Sequence, residues 1–321
     1  MCGIVGFFDK AGRPGRPLGA TLLGMLDALA CRGPDSSGIA LWGEPADGLV
    51  VRVKMGEGED ALARRPAILR EAARQGRVGA TETQGALLRL VVAKAEPVEL
   101  GAAIEAIAPD VEVVSIGRRL EIVKQVGAPA NLEVEFGISR RRGTHGLGHT
   151  RLSTESRVDL SHSQPFWAHG TADLAIVHNG HITNYHRLRR VYEQEGVRFY
   201  TENDSEIIGI YLARKLGEGL SLREALEASL RDLDGSFSYL AATADAFGFA
   251  KDPFCLKPLI VSESADVVAI ANEEIALQAA LPEGYQAREA GGRAVAVWEV
   301  PDPASRLGAR PRRARSRRRA A

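Results

Sequence analysis

The feature that most constrains this chain is its N-terminal stretch, Met1-Cys2-Gly3-Ile4-Val5-Gly6-Phe7. The apolar residues after the cysteine predict a buried strand, and the two glycines allow close approach of another backbone. A strand in the core holds its first residue still, whereas most chain termini fray. The stretch therefore predicts a fold in which a thiol is fixed at the beginning of a central strand.

Cys2 carries a thiol and, once Met1 is removed, a free α-amine on the same residue. Removal is expected because cysteine is a small second residue. An α-amine titrates close to neutrality, so a fraction of it is free to accept the thiol proton. Since the thiolate is the reactive form, one residue then supplies both nucleophile and base. The alternative is a small apolar residue that happens to start a strand, and so short a motif does not decide between the two.

The composition is that of an ordinary globular protein. The chain has 321 residues, of which 45% are hydrophobic and 26% charged. It contains no apolar run of about 18 residues, which argues against a membrane span, and its N-terminus lacks the pattern of a signal peptide. Three scattered cysteines do not form a disulfide framework and suit a reducing cytosol. These features predict a cytoplasmic location.

The formal net charge of zero hides an asymmetry along the chain. Residues 306–321 contain eight arginines and no acids, so the rest of the chain holds 33 basic against 41 acidic groups. A basic tail could bind nucleic acid or an acidic partner. No aromatic or patterned residues accompany it, which favours a disordered extension at 301–321 over a segment that binds nucleic acid.

Two kinds of segment alternate along the rest of the chain. Leu18–Leu29 has the spacing of an amphipathic helix, and short strands follow in hairpin-like order towards both ends. Helices between antiparallel strands indicate the α+β class. Residues 51–140 contain a βαβ-like pattern with little chemistry, and we predict that they form an α/β subdomain inserted in a domain spanning 1–300.

Polar residues with a chemical character return after residue 145. A hydrophobic strand runs into His178-Asn179-Gly180, which places an amide side chain and an accessible N–H at a strand end. Those groups could form an oxyanion hole, although a hairpin turn is the simpler interpretation of Asn-Gly by itself. Asp204 is either an acid of the first turn of a helix or a ligand for a cationic group. Near the N-terminus, Arg32 and Asp35 either brace a loop beneath Cys2 or form a solvated pair.

All seven histidines lie between residues 145 and 186. Such clustering can indicate zinc. The spacings are irregular and no cysteine lies nearby, so we predict no metal.

Several motifs in order resemble those of the class II glutamine amidotransferases, which are N-terminal nucleophile (Ntn) hydrolases. The resemblance covers most of residues 2–300 except the insertion, and rests on Cys2-Gly3-Ile4-Val5-Gly6, Arg32-Gly33-Pro34-Asp35, His149-Thr150-Arg151, Gln164-Pro165-Phe166, His178-Asn179-Gly180, Asn203-Asp204-Ser205-Glu206, Lys251-Asp252-Pro253 and Lys257-Pro258-Leu259. It implies a four-layer αββα sandwich that hydrolyses the side-chain amide of glutamine.

The resemblance also implies a role for individual residues. Cys2 is the expected nucleophile, and Asn179 with the Gly180 N–H the expected oxyanion hole. Arg151 is expected to hold the α-carboxylate of glutamine and Asp204 its α-ammonium, which suits their charges. Thr154 and Gln164 complete the expected substrate-binding set.

Three positions depart from the family pattern. Leu152 stands where relatives usually have an aromatic residue, Cys31 where many have His, and Asn203 where Ser is more frequent. The first puts the closeness of the substrate pocket in doubt, but none removes a catalytic group.

Family members usually carry a synthase domain that consumes the ammonia, and only a short linker and the arginine tail follow residue 300 here. The resemblance therefore favours a separate synthase subunit, most like that of the glutamate-synthase-like N-methylglutamate synthases. No cofactor is expected on this chain, and any flavin or iron–sulfur cluster is expected on that partner. The alternatives are a stand-alone amide hydrolase and a non-catalytic assembly subunit.

Overall fold

The computed structural model describes residues 2–11, 17–153 and 157–301, and these ranges form strands and α-helices in mixed order. The strands are β1 Gly3–Asp9, β2 Ser36–Trp42, β3 Leu49–Lys54, β4 Arg77–Gln84, β5 Leu87–Ala93, β6 Glu112–Gly117, β7 Leu120–Val126, β8 His145–Arg151, β9 Phe166–Trp167, β10 Ala175–Ile182, β11 Gly235–Ala242, β12 Ala246–Lys251, β13 Ile260–Glu263, β14 Val267–Ala271, β15 Ala287–Glu289 and β16 Val295–Glu299. The helices are α1 Leu18–Ala28, α2 Arg65–Gln75, α3 Pro97–Glu105, α4 Ala130–Phe136, α5 Tyr185–Gln194, α6 Ser205–Gly217, α7 Leu222–Asp232 and α8 Glu274–Gln278.

Two antiparallel sheets form the centre of the molecule. The seven-stranded sheet has the order β15-β13-β14-β1-β8-β2-β7, and the five-stranded sheet the order β16-β12-β11-β10-β9. β1 is fully buried and pairs with β14 on one side and β8 on the other. The predicted central strand after Cys2 is therefore present, with neighbours on both sides.

The alternation of side chains along β11 shows how the sheets and helices stack. Leu240 and Ala242 belong to the core shared with the seven-stranded sheet, whereas Phe237, Tyr239 and Ala241 belong to a second core under the helices. Such alternation is expected of a strand that is covered on both faces. Helices α1 and α8 cover the seven-stranded sheet, while α6 and α7 cover the five-stranded sheet. The α+β class and the αββα order are confirmed.

Residues 43–144 connect β2 to β8 and contain a third sheet. This four-stranded sheet has the order β4-β5-β3-β6, with α2 and α3 packed against it. Its pairings are antiparallel, whereas a βαβ pattern implies parallel strands. The range 51–140, predicted as one inserted unit, begins inside β3, and its segment β7 lies beside β2 in the seven-stranded sheet. We call residues 49–117 the inserted subdomain.

The described helices are too short or too polar for a transmembrane segment.

Candidate active site

A cavity of about 630 Å³ opens beside the start of β1, the end of β8 and the second half of β10, near the start of α6. Among the described residues, its lining consists of Cys2, Arg151, Leu152, Ser153, Gln164, His178, Asn179, Gly180, His181, Tyr185, His186, Arg189, Glu202, Asn203 and Asp204. The cavity therefore gathers the predicted site residues from distant parts of the sequence. Thr154 lies outside the described residues, and its role stays a prediction.

Cys2 is partly buried immediately before β1, and its Sγ lies 3.8 Å from the carbonyl oxygen of Leu152 as a weak donor. The side chain of Asn272, at the end of β14, holds the chain on both sides of Gly3. Its Nδ2 donates to the Cys2 carbonyl at 3.2 Å, and its Oδ1 accepts from the Ile4 N–H at 3.0 Å. The nucleophile candidate is thus tied to the sheet by a side chain as well as by strand pairing.

The sequence reasoning missed Asn272. The available signal was the one that drew attention to Asn179, an amide residue at or near the end of an apolar strand. Asn272 is 1% exposed, so its amide is committed to the chain around Cys2 and does not line the cavity.

Arg151 ends β8 beside Cys2. Its Nη1 donates to the Arg157 carbonyl at 2.9 Å. Burial lowers the pKa of the Arg151 guanidinium, and the nearby Cys2 sulfur and the carboxylates of Asp159 and Asp35 act in the opposite direction. A buried cation beside a nucleophile can bind an anionic group that enters the cavity.

The loop at Gly33 packs directly on the end of β8. A Cβ at Gly33 would lie 2.5 Å from the carbonyl carbon of Thr150, so only glycine fits there. Asp35 accepts a hydrogen bond from the Ser153 N–H at 2.7 Å. Arg32 forms an ion pair with Glu273, an acid that follows Asn272. Each of the two charged residues therefore makes a contact that braces the chain around Cys2.

Asn179 and Gly180 lie within β10, which continues to Ile182. The hairpin-turn interpretation of Asn-Gly is therefore wrong, because both residues pair with β11. Gly180 has a φ of +145°, and a Cβ there would lie 2.3 Å from the Ser236 carbonyl oxygen. The Asn179 Nδ2 atom is buried and has no hydrogen-bond partner within the described ranges. A buried donor without a partner costs free energy, so a ligand that accepts from it would be stabilised.

The side chain of Gln164 bonds to His178 and Ser205, the neighbours of Asn179 and Asp204 in the chain. Its Oε1 accepts from the His178 N–H at 2.7 Å, while its Nε2 donates to the His178 carbonyl at 3.2 Å and to Ser205 Oγ at 3.1 Å. Ser205 Oγ also lies 2.8 Å from His178 Nδ1. Burial lowers the pKa of His178, against the attraction of Asp204, and favours the neutral ring. Both ends of the Gln164 amide are thus engaged with the protein.

Asp204 precedes the first turn of α6 and also lines the cavity. Its Oδ2 accepts from the Ile182 N–H at 2.7 Å and lies 3.4 Å from His181 Nδ1. The carboxylate is 16% exposed, and the His181 side chain is 72% exposed. The sequence left Asp204 as a helix acid or a ligand, and the structure gives it a position where it faces the cavity as well as the helix start.

The histidines are used separately. His145 stacks on Trp42 with ring centroids 4.6 Å apart, His169 stacks on Tyr200, and His162 bonds to Asp159. In the described ranges no three His, Cys, Asp or Glu side chains are grouped to hold a metal ion.

Cys2, at the head of a central strand in an αββα sandwich, thus lines the same cavity as Asn179 and Gly180. Residues 149–279 match the family described as the glutamine amidotransferase domain. The glutamine amidotransferase-like protein GlxB of Rhizobium meliloti (strain 1021) is 36% identical over 306 residues, which are 95% of this chain and 97% of that protein. An amidophosphoribosyltransferase of Methanocaldococcus jannaschii is 30% identical over 164 residues, 51% of this chain and 35% of that enzyme.

Among solved structures, the B. subtilis glutamine phosphoribosylpyrophosphate amidotransferase complexed with ADP and GMP superposes with a TM-score of 0.59. The match covers 92% of this chain and 46% of that one at 19% identity, and it shows the shared fold. The chain belongs to the class II glutamine amidotransferases. It is an enzyme that catalyses the glutaminase half-reaction, the release of ammonia from glutamine.

Proposed function

We propose that this chain is the ammonia-producing subunit of a larger synthase and that Cys2 attacks the side-chain amide of glutamine. The observation that carries the proposal is the composition of one cavity. It brings together a thiol, an amide donor that has no partner among the described residues, a cation and an anion, from Cys2, Asn179, Arg151 and Asp204. Each of these groups complements a different part of glutamine.

Recognition uses the two charges. Arg151 binds the α-carboxylate, since a guanidinium presents paired donors to a carboxylate. Asp204 binds the α-ammonium with the carboxylate lone pairs that the Ile182 N–H leaves available. The amino-acid end is then held between Arg151 and Asp204 while the amide reaches Cys2. A substrate that lacks either charge loses that contact.

The chemistry begins at Cys2 after loss of Met1. The α-amine accepts the thiol proton, and Sγ attacks the amide carbon. The developing oxyanion accepts hydrogen bonds from Asn179 Nδ2 and the Gly180 N–H. The tetrahedral intermediate collapses as the amide nitrogen takes the proton from the α-ammonium and leaves as ammonia. Water then hydrolyses the thioester to glutamate and restores the thiol.

Gln164 acts in this scheme by positioning its neighbours. Its amide is engaged with His178 and Ser205, and these residues flank Asn179 and Asp204 in the chain. We propose that Gln164 fixes the distance between the oxyanion end and the ammonium end of the cavity.

A separate synthase subunit is the proposed acceptor of the ammonia, of the N-methylglutamate or glutamate synthase type, with any flavin and iron–sulfur cluster on that subunit. The match to the R. meliloti relative spans 97% of that protein, so that relative consists almost wholly of the matched region. The loop after Lys251-Asp252 exposes Phe254 by 66% and Leu256 by 70%. Ser238, which pairs with Asn179, donates from its Oγ to the Lys257 carbonyl of the same loop at 2.8 Å, so this loop packs beside the strand that carries Asn179. Such side chains suit a protein partner.

Co-expression with the neighbouring genes, followed by affinity purification, tests the proposal. A stoichiometric complex with glutaminase activity above that of the chain alone is expected, and the intact mass should show loss of Met1. A Phe254→Ser/Leu256→Ser variant should weaken the complex while Cys2 stays reactive. A monomer that hydrolyses glutamine at full rate alone would indicate a stand-alone hydrolase. A chain that forms the complex but never reacts at Cys2 would indicate an assembly subunit.

A further inference from the structure

Tyr200 connects the inserted subdomain to the loop that carries Asp204. Its hydroxyl bonds to the carboxylate of Glu105, the last residue of α3, in a contact between the two parts of the chain. We propose that Tyr200 and Glu105 are positioning residues for glutamine binding, so that the inserted subdomain sets the geometry of the Asp204 loop. The inference rests on the proposed role of Asp204 as the ligand of the α-ammonium.

The ring of Tyr200 is held on both faces. His169 stacks on it with centroids 4.1 Å apart and planes 14° apart, and the Arg198 guanidinium carbon lies 4.8 Å from the ring centroid. Arg198 also donates to the Pro109 carbonyl of the inserted subdomain at 3.4 Å. The ring can keep both stacking contacts without its hydroxyl, so the hydroxyl contact can be removed separately.

Several linked hydrogen bonds lead from the backbone of Tyr200 to the residues on both sides of Asp204. The N–H groups of Tyr200 and Thr201 donate to the buried carboxylate of Glu206 at 2.9 and 3.0 Å. The Asn203 N–H donates to Thr201 Oγ1 at 3.1 Å, and the Ser205 N–H to Asn203 Oδ1 at 3.0 Å. A shift of Tyr200 is therefore transmitted to the residues on both sides of Asp204.

The Glu105 contact is one that the fold cannot replace with water. Glu105 is 6% exposed, and its other oxygen accepts from the Val113 N–H of β6 at 2.9 Å. Loss of the tyrosine hydroxyl leaves that buried carboxyl with one donor fewer, and such a group relaxes towards another partner. The carboxyl can reach another partner if α3 moves or if residues 199–204 move. Movement of residues 199–204 changes the position of Asp204.

The test compares Tyr200→Phe with Tyr211→Phe in the full chain. Tyr211 makes the same kind of bond, from its hydroxyl to Asp232 Oδ2 at 2.6 Å, on α6 but away from the cavity. The readout is the second-order rate at which a glutamine-mimicking diazo-ketone labels Cys2, with iodoacetamide as a probe of the thiol alone. For Tyr200→Phe we expect diazo-ketone labelling about tenfold slower, the scale of one lost hydrogen bond, and unchanged iodoacetamide labelling. The matched variant should label like the wild type with both reagents.

A conservative change gives a second measure. Glu105→Gln keeps an acceptor for the Val113 N–H and an amide that can donate to the Tyr200 oxygen. It should therefore label at close to the wild-type rate, within about threefold.

Each of the following results would overturn the inference. Diazo-ketone labelling of Tyr200→Phe at the wild-type rate would show that the contact only stabilises the fold. An equal slowing with iodoacetamide, or an equal slowing in Tyr211→Phe, would show a general disturbance. If the wild type itself were not labelled at Cys2, or not protected by glutamine, the proposed function would fail and the inference with it.

Discussion

The residues around Cys2 (the Cys2 end of the cavity) and those around Asp204 (the Asp204 end) are held in place by different means. At the Cys2 end, β1 pairs with a strand on each side, and Asn272 bonds to the backbone around Gly3. At the Asp204 end, residues 199–204 rely on side chains from other elements. Arg189 donates to the Thr201 carbonyl at 2.6 Å, and Glu206 and Glu105 bond to the same loop.

This difference in support suits the different roles proposed for the two ends, covalent attack at Cys2 and recognition of the amino-acid group at Asp204. Covalent attack requires reacting atoms in contact and aligned, and a paired central strand provides that rigidity. Recognition of an amino-acid group tolerates small adjustments. Substitutions at the Cys2 end should therefore reduce kcat, while those at the Asp204 end should raise KM.

The largest effect is expected for Cys2→Ser, because it replaces the nucleophile with a much less acidic group at the rigid end. Turnover should fall by several orders of magnitude, on the order of 10⁴ or more, while the fold is kept. Glutaminase assays with far-UV circular dichroism would measure both. Cys31→Ser and Cys255→Ser are the matched controls. A diazo-ketone label found on Cys31 or on Cys255 would contradict the assignment of Cys2 as the nucleophile.

Asn179→Ala removes the donor proposed for the transition state. We expect kcat to fall by ~10²–10³ with KM little changed, as for other oxyanion-hole donors. Steady-state kinetics would separate the two parameters. A rise in KM alone would move Asn179 to the recognition side of the comparison.

The sequence predicted the Cys2 end better than the Asp204 end. The apolar run after Cys2 defines β1, and a second apolar run forms its buried neighbour β14. These patterns are local, and a buried strand leaves a direct trace in hydrophobicity. The family resemblance then supplied the polar residues at strand ends that the cavity brings together.

The missing parts depend on contacts between distant segments. The Asn272 contact with Cys2 joins residues 270 positions apart, and Glu105 meets Tyr200 across 95. Helix α5, whose polar sequence buries mainly Tyr185 and Tyr192, was not predicted although it supplies Arg189 to the loop. No pattern in one segment indicates which residue of another will bond to it.

Asp204→Asn tests the recognition end. Asparagine keeps an acceptor for the Ile182 N–H but loses the charge that attracts an ammonium. KM for glutamine should rise roughly 10- to 100-fold, the range for a lost charge-assisted hydrogen bond, and kcat should be retained. Full kinetic curves up to high glutamine concentration would show this. A fall in kcat at constant KM would mean that Asp204 acts on the reacting end.

Asn272→Ala loosens the Cys2 end without touching the cavity. Two hydrogen bonds to the chain around Gly3 are lost, so kcat should fall about tenfold while KM changes little. Asn131→Ala, which removes an exposed amide that bonds to the Val126 carbonyl, is the control for a lost backbone contact elsewhere. If KM rose in place of a fall in kcat, the contrast between the two ends would not hold.

The smallest effect concerns the support of the Asp204 end and appears as a pH dependence of stability. Burial, the largest cause, raises the pKa of Glu105 from 4.5 to about 7, although bonds from Tyr200 and Val113 and the charge of Arg198 lower it. The carboxyl of Glu112 opposes ionisation of Glu105. The neighbouring ring of His169 is neutral, because burial lowers its pKa to about 3.

Between pH 4.5 and about 7 the folded protein therefore keeps a proton on Glu105 that the unfolded chain has released. A group whose pKa is raised in this way reduces the free energy of unfolding as the pH rises, by at most roughly 1.4 kcal/mol per pH unit. Glu105→Gln cannot titrate, so its stability relative to the wild type should increase across this window and level off above pH 7. Urea unfolding at pH 5, 6, 7 and 8 measures the difference, with Glu99→Gln, an exposed acid of the same helix, as the control for net charge. Wild type and Glu105→Gln curves that stay parallel would show that Glu105 ionises freely, and that the contact between the inserted subdomain and the Asp204 loop is open to water.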